Sequence, residues 1–394
     1  MDERTRSYLA GRFRDHYRRV SVPTPPGAHE REWGYIPWTA DDRTRMIRHR
    51  SMMELGTLEA FLPREQPRHV YFSAARYGAP DAGSMAAKNW RGADLVFDLD
   101  ADHLPGVDPD SSSYRGMLEA CKAELSNLLA FLRADFAFED VSIVFSGGRG
   151  YHVHVRDSGV LDLDQGARRE IADYVTGRGI DFTAITEERL VAGHGRQTPA
   201  PARRIPAEGG WQRRIREALV AFVEELKTVD ERTAIDRLRE IEGIGDRRAD
   251  VILEVIRTNH AEITNGNVDV HPAFGHVVEH VIDRTKREAT AAIDEPVTTD
   301  LNRLIRLPGS LHGGSGLAVR PIPGSELDRF DPLRDAIPET FRGHQIVIDA
   351  HEECRVELGS FDRRVASGID TVPEYVGIHL MTTGRASKGR EIRR

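Results

Sequence analysis

A glycine-rich pentapeptide, SGGRG at residues 146–150, lies between two short apolar segments, and this arrangement constrains the fold more than any other feature. The two segments are DVSIVF at 140–145 and YHVHVR at 151–156. Short runs rich in β-branched and aromatic residues are typical of strands, and a short glycine-containing connection is typical of a hairpin. The pattern therefore predicts an antiparallel hairpin and excludes a wholly helical fold.

Further apolar runs predict strands at 69–73 (HVYFS) and 94–99 (DLVFDL), and strand character returns near Pro296 and at 317–322. Residues 113–136 carry apolar side chains at helical spacing, so we expect an amphipathic helix that links two strands. Strands connected by a long helix favour an α/β or α+β fold around a small mixed sheet.

The pattern changes after Asp157. Residues 161–175 and 211–253 have helical spacing and many charges, without strand signals. The simplest organisation is one discontinuous α/β domain, residues 1–157 and 264–394, interrupted by an all-helical insertion at 158–263.

The insertion contains IEGIGDRRADVILEVI at residues 241–256, which has the hydrophobic and glycine pattern of a helix-hairpin-helix turn. The main-chain amides of such a turn can hold a DNA phosphate. The pattern is short and occurs once, so an ordinary helical turn interrupted by glycine is the alternative.

Composition excludes several classes of protein. The 394 residues are 39% hydrophobic and 30% charged, and no apolar run approaches the roughly 18 residues of a membrane helix. The first residues are charged and lack the apolar core of a signal peptide. Two cysteines, Cys121 and Cys354, are too few for a disulfide framework. We therefore expect a soluble, cytoplasmic protein. Its net charge of −8 argues mildly against nucleic-acid binding.

The segment DLVFDLDADH, residues 94–103, places two acids at alternate positions of a predicted strand. Asp98 and Asp100 therefore lie on one face, where their charges repel each other. Hard divalent cations such as Mg²⁺ or Mn²⁺ relieve this repulsion, and paired carboxylates are typical of two-metal phosphoryl transfer. A strand end with exposed acids would show the same pattern.

Two further segments carry groups that suit a polyphosphate. In SGGRGYHVHVRD, Ser146 and Arg149 can donate to anionic oxygens, and His152 lies on the same strand face as His154. The segment at 292–322 combines acids and arginines with a glycine-rich loop around His312. A glycine hairpin and a capped helix followed by a turn are the structural alternatives.

Taken together, these segments resemble the small, catalytic subunit of the archaeo-eukaryotic DNA primases in its archaeal form. The resemblance covers nearly the whole chain, in order. It rests on REW at 31–33, KNWRGADLVFDLDADH at 88–103, SGGRGYHVHV at 146–155, DEPVTTDLNRLIRLPGSLHGGSGL at 294–317, FDPLRDAIPE at 330–339 and EYVGIHLM at 374–381.

The resemblance implies a template-directed nucleotidyltransferase that makes short RNA or DNA primers on single-stranded DNA from nucleoside triphosphates. It implies that Asp98, Asp100 and Asp294 hold two Mg²⁺ or Mn²⁺ ions, with Asp300 as a weaker alternative to Asp294. The residues that it assigns to the nucleotide are Ser146, Arg149, His152 and His312, with Arg31 near the active centre. It further implies a heterodimer with a large subunit that carries an iron–sulfur domain, since this chain lacks the cysteines for one.

The chain departs from the family pattern at two places. Gly314 stands where many relatives have a lysine, so the triphosphate pocket loses a charge or recovers it from Arg306 or Arg320. Many relatives also have a zinc knuckle after the metal-binding strand. Here only His103 and Cys121 are available, so we expect no structural zinc.

Three alternative functions use the same features. A metal-dependent phosphohydrolase or nuclease also needs paired carboxylates and histidine. A related repair polymerase shares the catalytic core but usually lacks the FDPL and EYVGI segments. A non-catalytic DNA-binding subunit is disfavoured by the three intact aspartates.

Overall fold

A computed structural model describes residues 1–39, 45–108, 111–191 and 200–390. The chain divides into two compact units. The first unit comprises residues 1–125, 138–172 and 292–394, and the second comprises residues 126–137 and 173–291. The domain boundaries that the sequence suggests, at residues 157 and 264, stay a prediction.

The part of the chain up to residue 175 contains most of the residues of the predicted site. Its helices are α1 (Glu3–Tyr17), α2 (Met52–Leu55), α3 (Leu58–Glu65), α4 (Tyr114–Ala134), α5 (Ser158–Leu161) and α6 (Gln165–Val175). Its strands are β1 (Trp33–Ile36), β2 (Ile47–Arg50), β3 (His69–Ser73), β4 (Ala75–Tyr77), β5 (Trp90–Ala93), β6 (Leu95–Asp100), β7 (Val141–Phe145) and β8 (Gly150–Val155).

The following part is mainly helical. Its elements are α7 (Phe182–Ile185), β9 (Glu187–Val191), β10 (Ala200–Arg204), α8 (Gly210–Thr228), α9 (Glu231–Arg239), α10 (Asp246–Thr258), α11 (His260–Thr264) and α12 (Gly275–Ala289). The expectation of an all-helical insertion needs one correction, because β9 and β10 pair as antiparallel strands. Side chains of β9 such as Leu190, which is 74% exposed, show no buried face. A strand without a buried face has no apolar alternation by which to predict it.

The turn at 241–256 joins two helices, as its pattern indicates. Residues 240–245 connect α9 to α10, and Gly243 has a φ of 81°, a backbone conformation that favours glycine. Arg248 donates a hydrogen bond to the main-chain O of Gly243 at 2.6 Å. Contact of this turn with DNA stays a prediction.

The last part of the chain returns to the first unit. Its elements are α13 (Glu295–Thr299), β11 (Leu304–Arg306), β12 (Arg320–Ile322), α14 (Pro332–Asp335), β13 (Gln345–Ala350), β14 (Cys354–Leu358), β15 (Phe361–Val365), β16 (Gly368–Pro373), α15 (Glu374–Thr382) and β17 (Ala386–Lys388). The strand expected near Pro296 is wrong, because this proline lies in the first turn of α13. Proline suits this position, since the first helical N–H groups have no partner within the helix.

Two four-stranded sheets dominate the first unit. One has the strand order β12-β7-β8-β6 and the other β11-β3-β1-β2, and neighbouring strands in both are antiparallel. Antiparallel sheets combined with helices confirm the α+β class. Among the described residues no helix is long and apolar enough to span a bilayer.

Side chains along β6 point alternately to the hydrophobic core and to the predicted site. Leu95, Phe97 and Leu99 are fully buried, and Cys121 on the apolar face of α4 lies 3.5 Å from the main-chain O of Leu99. Asp98 and Asp100 point to the opposite face. The core side of this sheet is thus covered by α4, and its other side carries the acids.

The two ends of the described chain meet in the first unit. The main-chain N–H of Lys388 in β17 donates to Thr5 Oγ1 at 2.8 Å, and Arg12 pairs with Glu374 of α15 at 2.8 Å. Helix α1 therefore completes its contacts only with the C-terminal strands and helix.

Candidate active site

The register of β6 against β8 places Asp98 opposite His152 and Asp100 opposite Gly150. The His152 Nε2 atom lies 3.6 Å from Asp98 Oδ1, and the Asp98 side chain is 22% exposed. The alternation predicted for the DLVFDLDADH segment therefore brings the two acids and His152 to one face of the sheet.

Asp294 joins this group from a distant part of the chain. Its main-chain N–H donates to the main-chain O of Asp98 at 2.8 Å, directly before α13 begins. Asp300 instead accepts a hydrogen bond from the N–H of Asn302 at 2.8 Å, as a turn residue does. The geometry thus favours Asp294 over Asp300 as the third acid of the cluster.

The three carboxylates repel one another in a partly buried position. Burial, Asp100 and Asp294 together raise the pKa of Asp98 to about 7, against the opposing influence of Arg303 and Arg306. The same burial, with the nearby arginines, lowers the pKa of His152 to about 3, so its imidazole is neutral. Asp98 therefore lies where a positive charge would be strongly favoured.

The donor set suits a hard divalent cation. Within the described residues, neither Asp98, Asp100 nor Asp294 forms an ion pair with lysine or arginine. No three His, Cys, Asp or Glu side chains of the described ranges converge into a preformed metal cage. Mg²⁺ commonly binds through one or two carboxylates together with substrate phosphates, so an incomplete cage of oxygen donors fits it.

The raised pKa of Asp98 predicts how stability depends on pH in chelator-treated protein. The carboxyl ionises near 3.8 in the unfolded chain but near 7 in the folded one. Between these values the folded state holds the extra proton, so the free energy of unfolding falls as pH rises. We expect a fall of about 2 kcal/mol between about pH 5 and 7, measured by urea unfolding, that Asp98→Asn removes. Parallel pH profiles for parent and variant would contradict this expectation.

Two glycine loops lie near the carboxylates. We call residues 146–149, which lead into the Gly150 partner of Asp100, loop A, and residues 312–316 loop B. A Cβ at Gly150, where loop A enters β8, would lie 1.8 Å from the main-chain O of Leu99, so only glycine fits there. Gly147 has a φ of 78°, and a Cβ on it would lie 2.7 Å from His312 Cβ. The two loops therefore pack directly against each other.

The predicted nucleotide-contacting side chains lie on these loops. Arg149 pairs with Asp102 at 2.8 Å but is 45% exposed, so its guanidinium has room for a phosphate. Ser146 Oγ accepts a hydrogen bond from the N–H of Gly148 at 3.3 Å and can still donate. The His312 ring rests on loop A, and burial lowers its pKa well below the usual value.

Arg306 reaches the same region from β11 of the second sheet. Its guanidinium lies over the Tyr71 ring at 5.3 Å, and its Nε has no hydrogen-bond partner in the described part of the chain. Burial lowers its pKa, while Asp98 and Asp100 act to raise it. A half-buried cation with a buried, unused Nε donor close to these acids is placed to meet an anionic ligand.

Arg31 has a different environment. It is fully buried, and its donors bond to the main-chain O atoms of Pro26, Ser73 and Ala74 and to both carboxylate oxygens of Asp94, at 2.7 to 3.0 Å. The structure does not bring a free donor of Arg31 to the site.

Sequence reasoning missed several residues at loop B. The N–H of Gly313 donates to His69 Nδ1 at 3.4 Å, and the His69 ring lies 4.9 Å from that of His312. Arg68 Nε donates to the main-chain O of Gly313 at 3.2 Å. Nothing in the HVYFS pattern distinguishes His69, nor the preceding Arg68, because their contacts come from a loop more than 240 residues away.

Comparison with known proteins decides the family. The DNA primase small subunit profile matches residues 97–323, more than half of the chain, including Asp98, Asp294 and both glycine loops. The chain belongs to the DNA primase small subunit family. The resemblance of the sequence motifs to that family is confirmed.

Individual relatives extend the similarity over complete chains. The chain is 54% identical over 395 residues to DNA primase small subunit PriS of Natronomonas pharaonis, covering 99% of this chain and 100% of the relative. It is 52% identical over 392 residues to the protein of that name in Haloarcula marismortui, with the same coverage. The Methanococcoides burtonii protein of that name is 38% identical over 400 residues, again covering 99% and 100%.

Proposed function

We propose that this chain is the catalytic subunit of a DNA primase, which synthesises short RNA or DNA primers on single-stranded DNA by two-metal nucleotidyl transfer. The observation that carries the proposal is the cluster of Asp98, Asp100 and Asp294, which forms no ion pair with lysine or arginine among the described residues and lies near two glycine loops. A two-metal nucleotidyl-transfer site needs acids that bind the cations and loops that bind the phosphates.

Each side chain has a role in this reaction. Asp98, Asp100 and Asp294 would hold Mg²⁺ or Mn²⁺, and such an ion would supply activation of the 3′-hydroxyl and stabilisation of the charge on the pyrophosphate. The 3′-hydroxyl attacks the α-phosphorus and gives its proton to water, the new P–O bond forms, and the bond to the leaving pyrophosphate breaks. The residues that orient the triphosphate are Ser146, Arg149, His152, His312 and Arg306.

The proposal includes partners. A large subunit would form a heterodimer with this chain and supply the iron–sulfur domain, since the two cysteines here cannot ligate such a cluster alone. Single-stranded DNA is the template and nucleoside triphosphates are the substrates. The absence of a structural zinc stays part of the proposal.

One assay separates this function from its alternatives. The purified chain, with and without its large subunit, is incubated with single-stranded template, labelled NTPs or dNTPs, and Mg²⁺ or Mn²⁺. A primase yields new short products and releases pyrophosphate. A nuclease shortens the template without pyrophosphate, and a repair polymerase extends a supplied primer but starts none.

His312 is expected to bind the triphosphate. A charge-assisted hydrogen bond contributes about 1.5–3 kcal/mol, so His312→Ala should raise the KM for nucleotide about 10- to 150-fold. Gly314 is not in the left-handed region, so a lysine there causes no backbone strain. A Cβ at Gly314 would lie 3.1 Å from His312 Cε1, a contact that the alanine variant removes.

Gly314→Lys should therefore recover part of the affinity in the His312→Ala background. Gly314→Ala in that background is the matched control and should recover none, because it adds the Cβ without the charge. Steady-state kinetics over a range of nucleotide concentrations checks all four proteins. If His312→Ala keeps the parental KM and kcat, loop B does not bind the triphosphate.

A further inference from the structure

Ser315 joins the two glycine loops to each other. Its hydroxyl donates to the main-chain O of Gly147 in loop A and accepts from the N–H of Leu317 at 3.1 Å. The same Oγ lies 3.1 Å from Nδ1 of His312. The position of Ser315 therefore affects both the backbone of loop A and the His312 imidazole.

Helix α15 supports loop B at this serine. His379 Nδ1 lies 2.9 Å from the main-chain O of Ser315, and because a carbonyl only accepts, Nδ1 is the nitrogen that donates. The next residue, Gly316, has a φ of 73°, and a Cβ on it would lie 2.6 Å from Ile378 Cγ2. Loop B thus lies directly against α15.

Tyr114 supports loop A in the same way. At the start of α4, its hydroxyl donates to the main-chain O of Gly148 at 2.6 Å. The Tyr114 and His379 rings stack, with centroids 5.8 Å apart and planes inclined by 22°. A continuous series of contacts therefore runs from loop A through Tyr114 and His379 to loop B.

We propose that Tyr114 and His379 are positioning residues that hold loops A and B at the separation at which Arg149 and His312 contact one triphosphate. This inference rests on the function proposed above. Glycine loops lose much conformational freedom on ordering, so a loop that is already held pays less of this cost when nucleotide binds. The proposal also gives a role to the C-terminal EYVGIHLM segment, which contributes no group to the chemistry itself.

Two features distinguish this arrangement from packing alone. Both side chains direct a hydrogen-bond donor at a loop carbonyl, one at Gly148 and the other at Ser315. The residues that accept these two bonds, Gly148 and Ser315, also lie directly beside the His312 ring. Loss of either donor should therefore weaken nucleotide binding more than it changes the rate of the bound complex.

The test uses the full chain with a dT-only template, Mn²⁺, and ATP or dATP as the probe. His379→Ala should raise the KM for nucleotide about tenfold, corresponding to about 1.4 kcal/mol, with kcat within about threefold of the parent. Tyr114→Phe keeps the ring stack and should raise KM by about 3- to 10-fold. His379→Asn places an amide N–H where Nδ1 lies and should recover most of the loss.

Matched controls carry similar bonds away from the loops. His351 is exposed and bonds through Nδ1 to the main-chain O of Gly384 at 3.0 Å, and Tyr375 on α15 has its hydroxyl 3.4 Å from Ser360 Oγ. His351→Ala and Tyr375→Phe should leave KM unchanged.

The outcomes separate this inference from the function on which it rests. Parental KM in both His379→Ala and Tyr114→Phe overturns the positioning role alone. A lower melting temperature with KM unchanged and kcat reduced assigns the two residues to the fold and also overturns it. If His379→Asn has the same raised KM as His379→Ala, the hydrogen bond of His379 does not position loop B. A parent protein that incorporates no nucleotide, with or without its large subunit, removes the proposed function and this inference with it.

Discussion

Asp98→Asn is expected to reduce nucleotide incorporation by about 10³-fold or more while leaving the protein folded. The substitution removes one charged ligand from a metal cluster whose transition-state stabilisation amounts to several kcal/mol, and each tenfold in rate is about 1.4 kcal/mol. The free energy of unfolding should not fall, because burial and the neighbouring Asp100 and Asp294 disfavour the Asp98 charge and raise its pKa to about 7. At about pH 7.5 without divalent metal, the variant should melt at the parental temperature or above it.

Primer synthesis and thermal melting of the same preparations check this expectation. Asp140→Asn is the matched control, since Asp140 is an exposed acid just before β7 of the same sheet. It should retain activity. Incorporation near the parental rate in Asp98→Asn would refute the two-metal assignment, and a large drop in melting temperature would point to a structural role for Asp98.

Arg31→Ala is expected to lower the free energy of unfolding by about 3–5 kcal/mol, because it leaves a buried carboxylate with fewer partners. The Asp94 side chain is fully buried, and among the described residues its carboxylate would keep Arg156, whose Nε lies 2.9 Å from it, and a more distant His154 at 3.9 Å. Three main-chain carbonyls would each lose one donor as well, although that of Ala74 would keep the N–H of Asp94. Arg31→Lys should also destabilise, since one ammonium cannot replace a planar guanidinium that bonds in several directions.

Chemical denaturation measures the effect, and Arg91→Ala provides the matched control. Arg91 pairs with Glu30 at 2.8 Å on the surface, so its loss should change stability by less than about 1 kcal/mol. A fully stable Arg31→Ala protein with a raised KM for nucleotide would instead favour the contact with substrate that the family resemblance implies.

The strands of the sheet that carries Asp98 were predictable because their signal is local. The expected strand at 94–99 is β6 (Leu95–Asp100), and those at 140–145 and 151–156 are β7 and β8 within one residue. Each is a compact run of mainly apolar or aromatic residues with mostly buried side chains, and such a run is visible directly in the sequence. Strands β1 and β2 of the other sheet and the β9–β10 pair were not predicted, since these short strands carry charged, glycine or exposed residues.

Site residues that share one strand could be predicted from the sequence. Site residues that come together from distant segments could not. Alternation alone places Asp98 and Asp100 together, but Asp294 is 196 residues beyond Asp98 (294 − 98) and was selected only through the family resemblance. The burial of Arg31 and the supports from His69, Tyr114 and His379 depend on tertiary contacts that no local pattern records. Their residue types, taken singly, also occur throughout ordinary cores and turns.

The meeting of the two chain ends in the first unit has a consequence for biosynthesis. Thr5 cannot bond to Lys388 until 383 further residues (388 − 5) have been translated, and at about 5–20 residues per second this takes roughly 20 to 80 s. The second unit, residues 173–291 with a short segment at 126–137, is complete well before that point. Helix α1 can pack on α3 early in translation, but its contacts with α15 and β17 must wait until these elements have been made. During that interval Phe13, fully buried in the finished fold, can contact Trp38 but not Phe341, so part of its apolar surface is open to aggregation and to chaperones.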